Sequence, residues 1–263
     1  MIARFSLRLV ALGYLAVLLV LPVAWIVWSA FGGGVDAVWR SATAPYAVHA
    51  LLLSVLIAVI AVIANTVFGV VTALMIVRHP FPGVSILNAF VDLPLGLSPV
   101  VVGLSLVLVY GATGWLGPWL TAHGITVIFS LPGMILATVF VTLPFVVREV
   151  VPVVREVGSE QEEASRTLGA TAWQTFWRIT LPSIRAGVIY GVVLTMARAL
   201  GEFGTVIVVA GNIPGVTQTL TMYVEAEFQN FDPRGAYVAS LELAVLAILT
   251  LVLMNVVRRK GVA

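Results

Sequence analysis

Residues 159–182 read SEQEEASRTLGATAWQTFWRITLP, a polar and charged stretch set between long apolar runs. Ser159 followed three residues on by Glu162 has the form of a capping box, in which a hydroxyl and a carboxylate each satisfy an orphan amide at a helix start. Gly169 is placed to end that helix in the left-handed conformation. Thr171 with Gln174 repeats the start pattern, and Pro182 closes the second helix. The stretch reads as two short helices joined by a glycine elbow, lying outside the bilayer. Ala164 and Leu168 share one face of the first helix at i,i+4. Trp173, Phe176 and Trp177 gather on one side of the second. Helices this short do not hold themselves together in water. Their apolar sides have to press on membrane, on the rest of the chain, or on another protein.

Composition sets the surroundings of this stretch. Of the 263 residues, 60% are hydrophobic and 10% charged, whereas a soluble domain carries about 25% charged residues. The mean hydropathy is +1.09. These values predict an all-α integral membrane protein. The pI near 9.2 comes with a net charge of only +2. The basic residues sit at the ends of apolar segments rather than in one patch, which excludes nucleic acid as a partner. The absence of cysteine excludes disulfides, thiol catalysis and Cys-based metal sites. His49, His79 and His123 are far apart, have no metal-ligand spacing, and read as solvated side chains in loops or at span ends.

The apolar runs define six spans in one transmembrane domain over residues 1–263: about 9–31, 49–77, 86–110, 130–151, 184–209 and 236–257. Arg4 and Arg8 precede the first run as in a signal peptide. Its apolar core of about 20 residues nevertheless suits a retained span better than a signal core of about 7–15. Pro94 and Pro99 interrupt the third span and predict a bend, and Pro144 predicts a kink in the fourth. Residues 32–47, 111–126 and 211–223 read as loops, with a short amphipathic piece near 224–228. Starting from a cytoplasmic N-terminus, the inner side carries Arg4, Arg8, Arg78, Arg148, Arg155, Arg166, Arg178, Arg185, Arg258, Arg259 and Lys260. The outer side carries Arg40 and Arg234, and Arg198 lies within a span. That asymmetry puts both termini and the 159–182 segment in the cytoplasm.

Glu163-Ala164-Ser165, Gly169 and Ile179-x-Leu181-Pro182 resemble, at matching spacing, the EAA loop of ABC-importer permeases, with Ser165 in place of the second alanine. The resemblance implies the type I importer permease fold, and it implies that the loop is a coupling helix docked on a cytoplasmic ATPase subunit. A plain interfacial amphipathic helix with tryptophans at the headgroups is the other reading. It requires neither that glycine nor the I-x-L-P at fixed distances.

A phosphate-binding loop needs a lysine after its glycines. The only lysine here is Lys260, followed by Gly261. The chain is thus expected to bind no cofactor and to be non-catalytic, with ATP and magnesium held by a separate subunit. A carrier driven by an ion gradient would instead show inverted repeats and broken helices with facing carboxylates, and the halves are not self-similar. A membrane-embedded enzyme would need paired catalytic groups, and none stands out.

Charges inside spans are functional candidates by default. Arg198 and Glu202, in MARALGEFG, are spaced i,i+4 on the fifth span and can pair along one face. They are either a purely structural pair orienting the helix or a pair at the gate that rearranges on opening. Asp92 reads as an interfacial residue reaching water, and Glu242 as similar, about one turn inside the outer surface. Asn65 and Thr66 read as helix–helix hydrogen-bonding residues. The loop Gly211-Asn212-Ile213-Pro214-Gly215 faces outward and offers a landing surface for a substrate-delivering protein.

Three further stretches, residues 92–104, 140–153 and 197–215, resemble the sulfate/thiosulfate ABC-importer permeases, and among them the second, W-type membrane subunit. This resemblance covers residues 51 to the C-terminus. It implies a sister permease, two ATP-binding cassette subunits and an extracytoplasmic sulfate-binding protein, in the lipid of a prokaryotic inner membrane. Ala210–Leu220 is also similar to molybdate/tungstate permeases, which pair with themselves, so the anion and the choice of hetero- or homodimer stay open at this point.

Overall fold

The computed structural model describes residues 8, 10, 12–79 and 81–261, those beyond Val252 by backbone alone. Arg4, Pro80, the first residue of the expected 9–31 span and the side chains of Arg258, Arg259 and Lys260 fall outside that description. Among the described residues every regular element is helical. Five helices are long and apolar enough to cross a membrane, or six when one bent pair is taken as a single span.

The first helix, α1 (Leu12–Phe31), passes through a π-helical turn at Ala16–Val20. The stretch expected to be a loop, 32–47, holds a short helix, α2 (Val35–Ala42). Asp36 in its first turn and Arg40 in its last suit the helix dipole, but eight residues of mixed polarity leave no span-length pattern to read. The long helix α3 (Pro45–Arg78) begins earlier than residue 49, because Pro45 at a first-turn position is preorganised for a helix.

The bend expected in the third span is present, as a sharp break. Helices α4 (Val84–Gly96) and α5 (Pro99–Tyr110) meet at 113°. Leu97 and Ser98 are extended and Pro99 opens α5, while Pro94 stays inside α4. The ring of Pro99 disfavours helical backbone at the residue before it, which puts the break at Ser98. The pair still advances from one end of the molecule to the other. Val91 of α4 belongs to the cluster of Val147, Val150, Val154 and Ile184. Leu106 and Val107 of α5 pack on Met134, Ala137 and Val209. Helix α6 (Gly117–Ala122) lies in the second expected loop.

Helix α7 (Leu131–Val157) is the centre of the bundle and continues through Pro144 and Pro152, beyond the expected end at 151. It runs parallel to α3 and antiparallel to the helix on the far side of the elbow. Val146 of α7 is gripped by two glycines. A Cβ on Gly69 of α3 would fall 2.7 Å from its Cβ, and one on Gly191 would fall 2.8 Å from its Cα. Gly187, one turn before Gly191, lies equally close to the carbonyl of Glu149. Small residues at this spacing let helix backbones approach in a lipid environment, where close packing replaces the hydrophobic drive. Asn65 ties the same layer together, donating to Val139 O at 3.1 Å and to Thr142 Oγ1 at 2.7 Å.

Two expectations for residues 159–182 are corrected. The helix after the elbow does not stop at Pro182. It is continuous as α9 (Ala172–Leu200). A π-helical turn at Phe176–Thr180, in which the Leu181 amide reaches back to Phe176 O, precedes the proline and accommodates its missing N–H. The capping box at Ser159 does not form. Ser159, just ahead of the helix, has φ −104° and ψ −5° in place of the extended backbone such a cap uses, its hydroxyl donates to Glu163 Oε1 at 2.6 Å, and Glu162 turns inward. The box at Thr171–Gln174 does form, with both reciprocal bonds made.

The fifth expected span is also divided. Helix α9 ends at Leu200, and a separate helix, α10 (Gly204–Ala210), comes next. The two interruptions of the bundle touch. Gly204 sits against Pro99, and a Cβ on Gly103 would fall 2.8 Å from Thr205 O. Helix α11 (Leu220–Gln229) replaces the end of the third expected loop, and α12 (Pro233–Gly261) closes the chain.

Candidate functional site

The helix between α7 and the elbow, α8 (Glu160–Thr167), has two faces of different character. Glu162 and Ser165 are buried, while Glu160, Glu163, Ala164, Arg166 and Thr167 are exposed. Beyond its end Leu168 is 87% exposed and, across the elbow, Trp173 is 70% exposed. Gly169 has φ +84°, the left-handed conformation expected of it. Trp173 and Trp177 stack edge to face with centroids 5.4 Å apart. Phe176 packs on the α7 core cluster, but Leu168 and Trp173 find no cover among the described residues.

The residues of the EAA pattern divide between the two faces. Glu163, Ala164, Gly169 and Pro182 are exposed, whereas Ile179 is half-buried and Leu181 packs on the α7 core cluster. Ser165 uses its hydroxyl inward, donating to Glu162 O at 2.8 Å and lying 2.8 Å from Thr175 Oγ1. The departure from the family pattern thus adds a hydrogen bond between α8 and α9. Two arginines expected on the inner side, Arg78 and Arg148, hold partners that sequence spacing could not reveal. Arg78 reaches Glu162 and Gly158 O. Arg148 grips both oxygens of Asp92, with Nε 2.7 Å from Oδ1. Asp92, expected simply to reach water, is half-exposed and paired across α4 and α7.

The intramembrane pair exists, with its geometry changed. Arg198 Nη1 lies 2.6 Å from Glu202 Oε2. Glu202, however, stands in the break after α9, not on the helix. Its other oxygen accepts the Thr205 amide at 2.9 Å, so it caps α10. Its backbone carbonyl accepts from Thr221 Oγ1 at 3.0 Å. One buried residue therefore joins α9 and α10 through its carboxylate and α11 through its backbone carbonyl. Asn65 makes its expected interhelical bonds, whereas among the described residues the Thr66 hydroxyl has no hydrogen-bond partner. Glu242 is half-buried on α12, and its Oε2 lacks a hydrogen-bond partner among the described residues.

At the opposite end, Gly211, Asn212 and Gly215 all have positive φ. Ile213 O accepts three amides, from Val216, Thr217 and Gln218, and Asn212 Oδ1 accepts from Gln218 Nε2 at 3.0 Å. This self-bonded loop leaves Ile213, Pro214 and Val216 exposed. Nearby, burial pushes the Tyr223 hydroxyl up to about 12, aided by the charges of Glu227, Asp232 and Glu242. Burial, and then the charge of Asp232, raise the Glu227 carboxyl above its ordinary range. His123 stacks on Trp119 and places Nδ1 2.7 Å from Trp119 O, a local bond at the exposed end of α6.

Comparison with known proteins agrees with this architecture. The family of binding-protein-dependent transport system inner membrane components matches residues 65–260. The sulfate transport system permease protein CysW of Synechocystis sp. is 49% identical, covering 98% of this chain and 93% of that protein. The CysT permease protein of the same organism is 36% identical, over 94% of this chain and 87% of that protein. A crystal structure of a bacterial alginate ABC transporter, in complex with a periplasmic protein bound to an alginate pentasaccharide, superposes with a TM-score of 0.81 at 20% identity. It covers 98% of this chain and 94% of that one, a likeness of fold.

Proposed function

The chain belongs to the family of binding-protein-dependent transport system inner membrane components, and on that premise we propose that it is the W-type membrane subunit of an ATP-driven sulfate/thiosulfate importer. It sits in the inner membrane of a prokaryote beside a sister permease, with two ATP-binding cassette subunits inside and a sulfate-binding protein outside. ATP and magnesium belong to the cassette subunits. The observation that carries this reading is the uncovered apolar edge of α8 and the elbow, Leu168 and Trp173, at the arginine-rich end of the bundle. A cytoplasmic partner fits that edge. Glu163, Ala164, Ser165, Gly169, Ile179, Leu181 and Pro182 shape the docking element, the buried ones by setting its angle. Gly211, Asn212, Pro214 and Gly215 present the outward loop to the binding protein.

Sulfate is favoured by the identity to CysW, which runs through nearly the whole chain. The likeness to molybdate/tungstate permeases rests on residues 210–220 alone. Identity to CysW above that to CysT supports a heterodimer with this chain in the W position. ATP binding closes the cassette subunits, α8 moves with them, and the bundle opens outward to receive the anion. Hydrolysis resets it. Arg198 and Glu202 sit where α9 gives way to α10 and are proposed to rearrange in that cycle.

Purification of the native complex tests the proposal. Two different permease chains, a cassette ATPase, and ATP hydrolysis stimulated by sulfate-loaded binding protein are expected. A complex holding two copies of this chain and answering to molybdate-loaded binding protein would replace it with the homodimeric reading. Transport by the isolated chain under an ion gradient would remove both.

A further inference from the structure

Helix α8 hangs between two glycines in left-handed or positive-φ backbone, Gly158 at φ +67° and Gly169 at φ +84°. Neither glycine has a neighbour within 4 Å of where a Cβ would stand. An eight-residue helix held only at two such points would turn in place under load instead of passing the load on. Its inward face prevents that. Glu162 Oε1 accepts the Thr180 hydroxyl at 2.9 Å, and Oε2 lies 3.3 Å from Arg78 Nε. Arg78 is the last residue of α3 and also donates to the Gly158 carbonyl. The two charged side chains are only 16% and 11% exposed. Of the carboxylates in the first turn of α8, Glu160 and Glu163 point to solvent and Glu162 alone turns in.

We propose that Arg78, Glu162 and Thr180 form a lock that turns α8 from a swivel into a lever, so that a push on its outer face moves α3 as well as α9. The lock rests on the coupling role proposed for α8. Peptide continuity delivers force to α7 and α9 only through glycine elbows, which transmit little torque. The Arg78–Glu162 contact bypasses both elbows and engages α3, the 34-residue helix whose Gly69 and Asn65 pack directly on α7. A largely dehydrated, charge-assisted contact is stiff because opening it strands a buried charge. Arg78 and Glu162 are positioning residues: they touch neither nucleotide nor anion.

The test uses the complete complex in liposomes, carrying Arg78→Gln, Glu162→Gln, or the exchange Arg78→Glu with Glu162→Arg. The single variants are expected to keep all subunits and to hydrolyse ATP, while delivering about tenfold less sulfate per ATP, a loss of ordinary size for a coupling interaction. The exchange is expected to recover part of that ratio. An unchanged ratio in the single variants overturns the lock, and so does a parallel loss of subunits and ATPase with no recovery in the exchange. A second arm exploits the absence of native cysteine. Spin labels on Met75→Cys and Thr167→Cys, both exposed positions, should give a narrow distance distribution that broadens when Glu162→Gln is added. A distribution that stays narrow overturns the lock too. This arm reads the rigidity of α8 whatever anion is carried. A complex that imports no sulfate at all therefore sinks the functional reading, while the label distances still decide the lock.

Discussion

Arg198 closes its ion pair on Glu202 across the end of a helix, and the carboxylate is the buried partner: its side chain is 1% exposed against 34% for the guanidinium. The asymmetry follows from what each end does. Glu202 also accepts an amide of α10 and a hydroxyl of α11, so it is held by three elements, while 34% of the Arg198 side chain is left uncovered by this chain.

The two halves of the pair are therefore not equivalent to mutation. Arg198→Gln leaves a fully buried carboxylate without its cation, and removing one partner of a buried pair costs about 3–5 kcal/mol. Glu202→Gln keeps an acceptor for the Thr205 amide and leaves unpaired the less buried member, the guanidinium, so its cost is smaller. Thermal unfolding of the purified complex should rank Arg198→Gln below Glu202→Gln, and uptake should fall in both. Intact uptake and assembly in both variants would leave the pair without a role in opening.

Gly191 and Gly169 separate close approach from backbone conformation. At Gly191 a methyl group meets the Cα of Val146, a backbone atom that no rotamer change can move. Gly191→Ala should destabilise the bundle by about 1–3 kcal/mol, the usual cost of overpacking. At Gly169 the space is open but φ is +84°. Gly169→Ala should cost about 1–2 kcal/mol, confined to the elbow, as left-handed backbone does for a residue with a Cβ. Hydrogen exchange would localise each effect: helices α7 and α9 for the first, residues around the elbow for the second.

Glu163 is exposed, and among the described residues its side chain makes one hydrogen bond, accepting from the neighbouring Ser159 hydroxyl. Glu163→Lys should consequently leave folding intact while reducing the amount of cassette ATPase that co-purifies. Gly169→Pro should do the same by forbidding the elbow, because proline fixes φ near −65°. Normal ATP-dependent sulfate uptake with either substitution counts against docking at this element.

The outer end offers a pH test. The Glu227 carboxyl titrates above its unfolded value because it is partly buried and faces Asp232. A carboxylate shifted upward holds its proton more readily in the folded protein. Stability is then greatest below the unfolded range and declines as pH rises through the folded value. Glu227→Gln should raise the unfolding temperature at neutral pH, with the gain disappearing near pH 4. A gain that persists equally at both pH values would mean that ionisation of Glu227 is not the cause.

Legibility in the sequence tracks the range of the interactions. The elbow is readable because Thr171, Gln174 and Gly169 act within a single turn, and the Thr171 box and the left-handed glycine are both present. The pattern at Ser159 misleads because Glu162 has a stronger partner eighty-four positions away, Arg78. Pro182 suggests a stop, but a π-helical turn just ahead of it absorbs the missing donor, which no propensity scale registers. Pro94 and Pro99 announce the bend in the third span, whereas the break at Glu202 looks continuous because it lies in a run apolar enough to pass as membrane helix.

The chain by itself determined its apolar surroundings, its all-helical class and the EAA pattern. These follow from composition and from spacing along one strand of residues. Which glycines let backbones touch, which arginine answers which carboxylate, and where two helices break against each other were decided only on folding. Such partners lie tens of residues apart, and packing alone selects them.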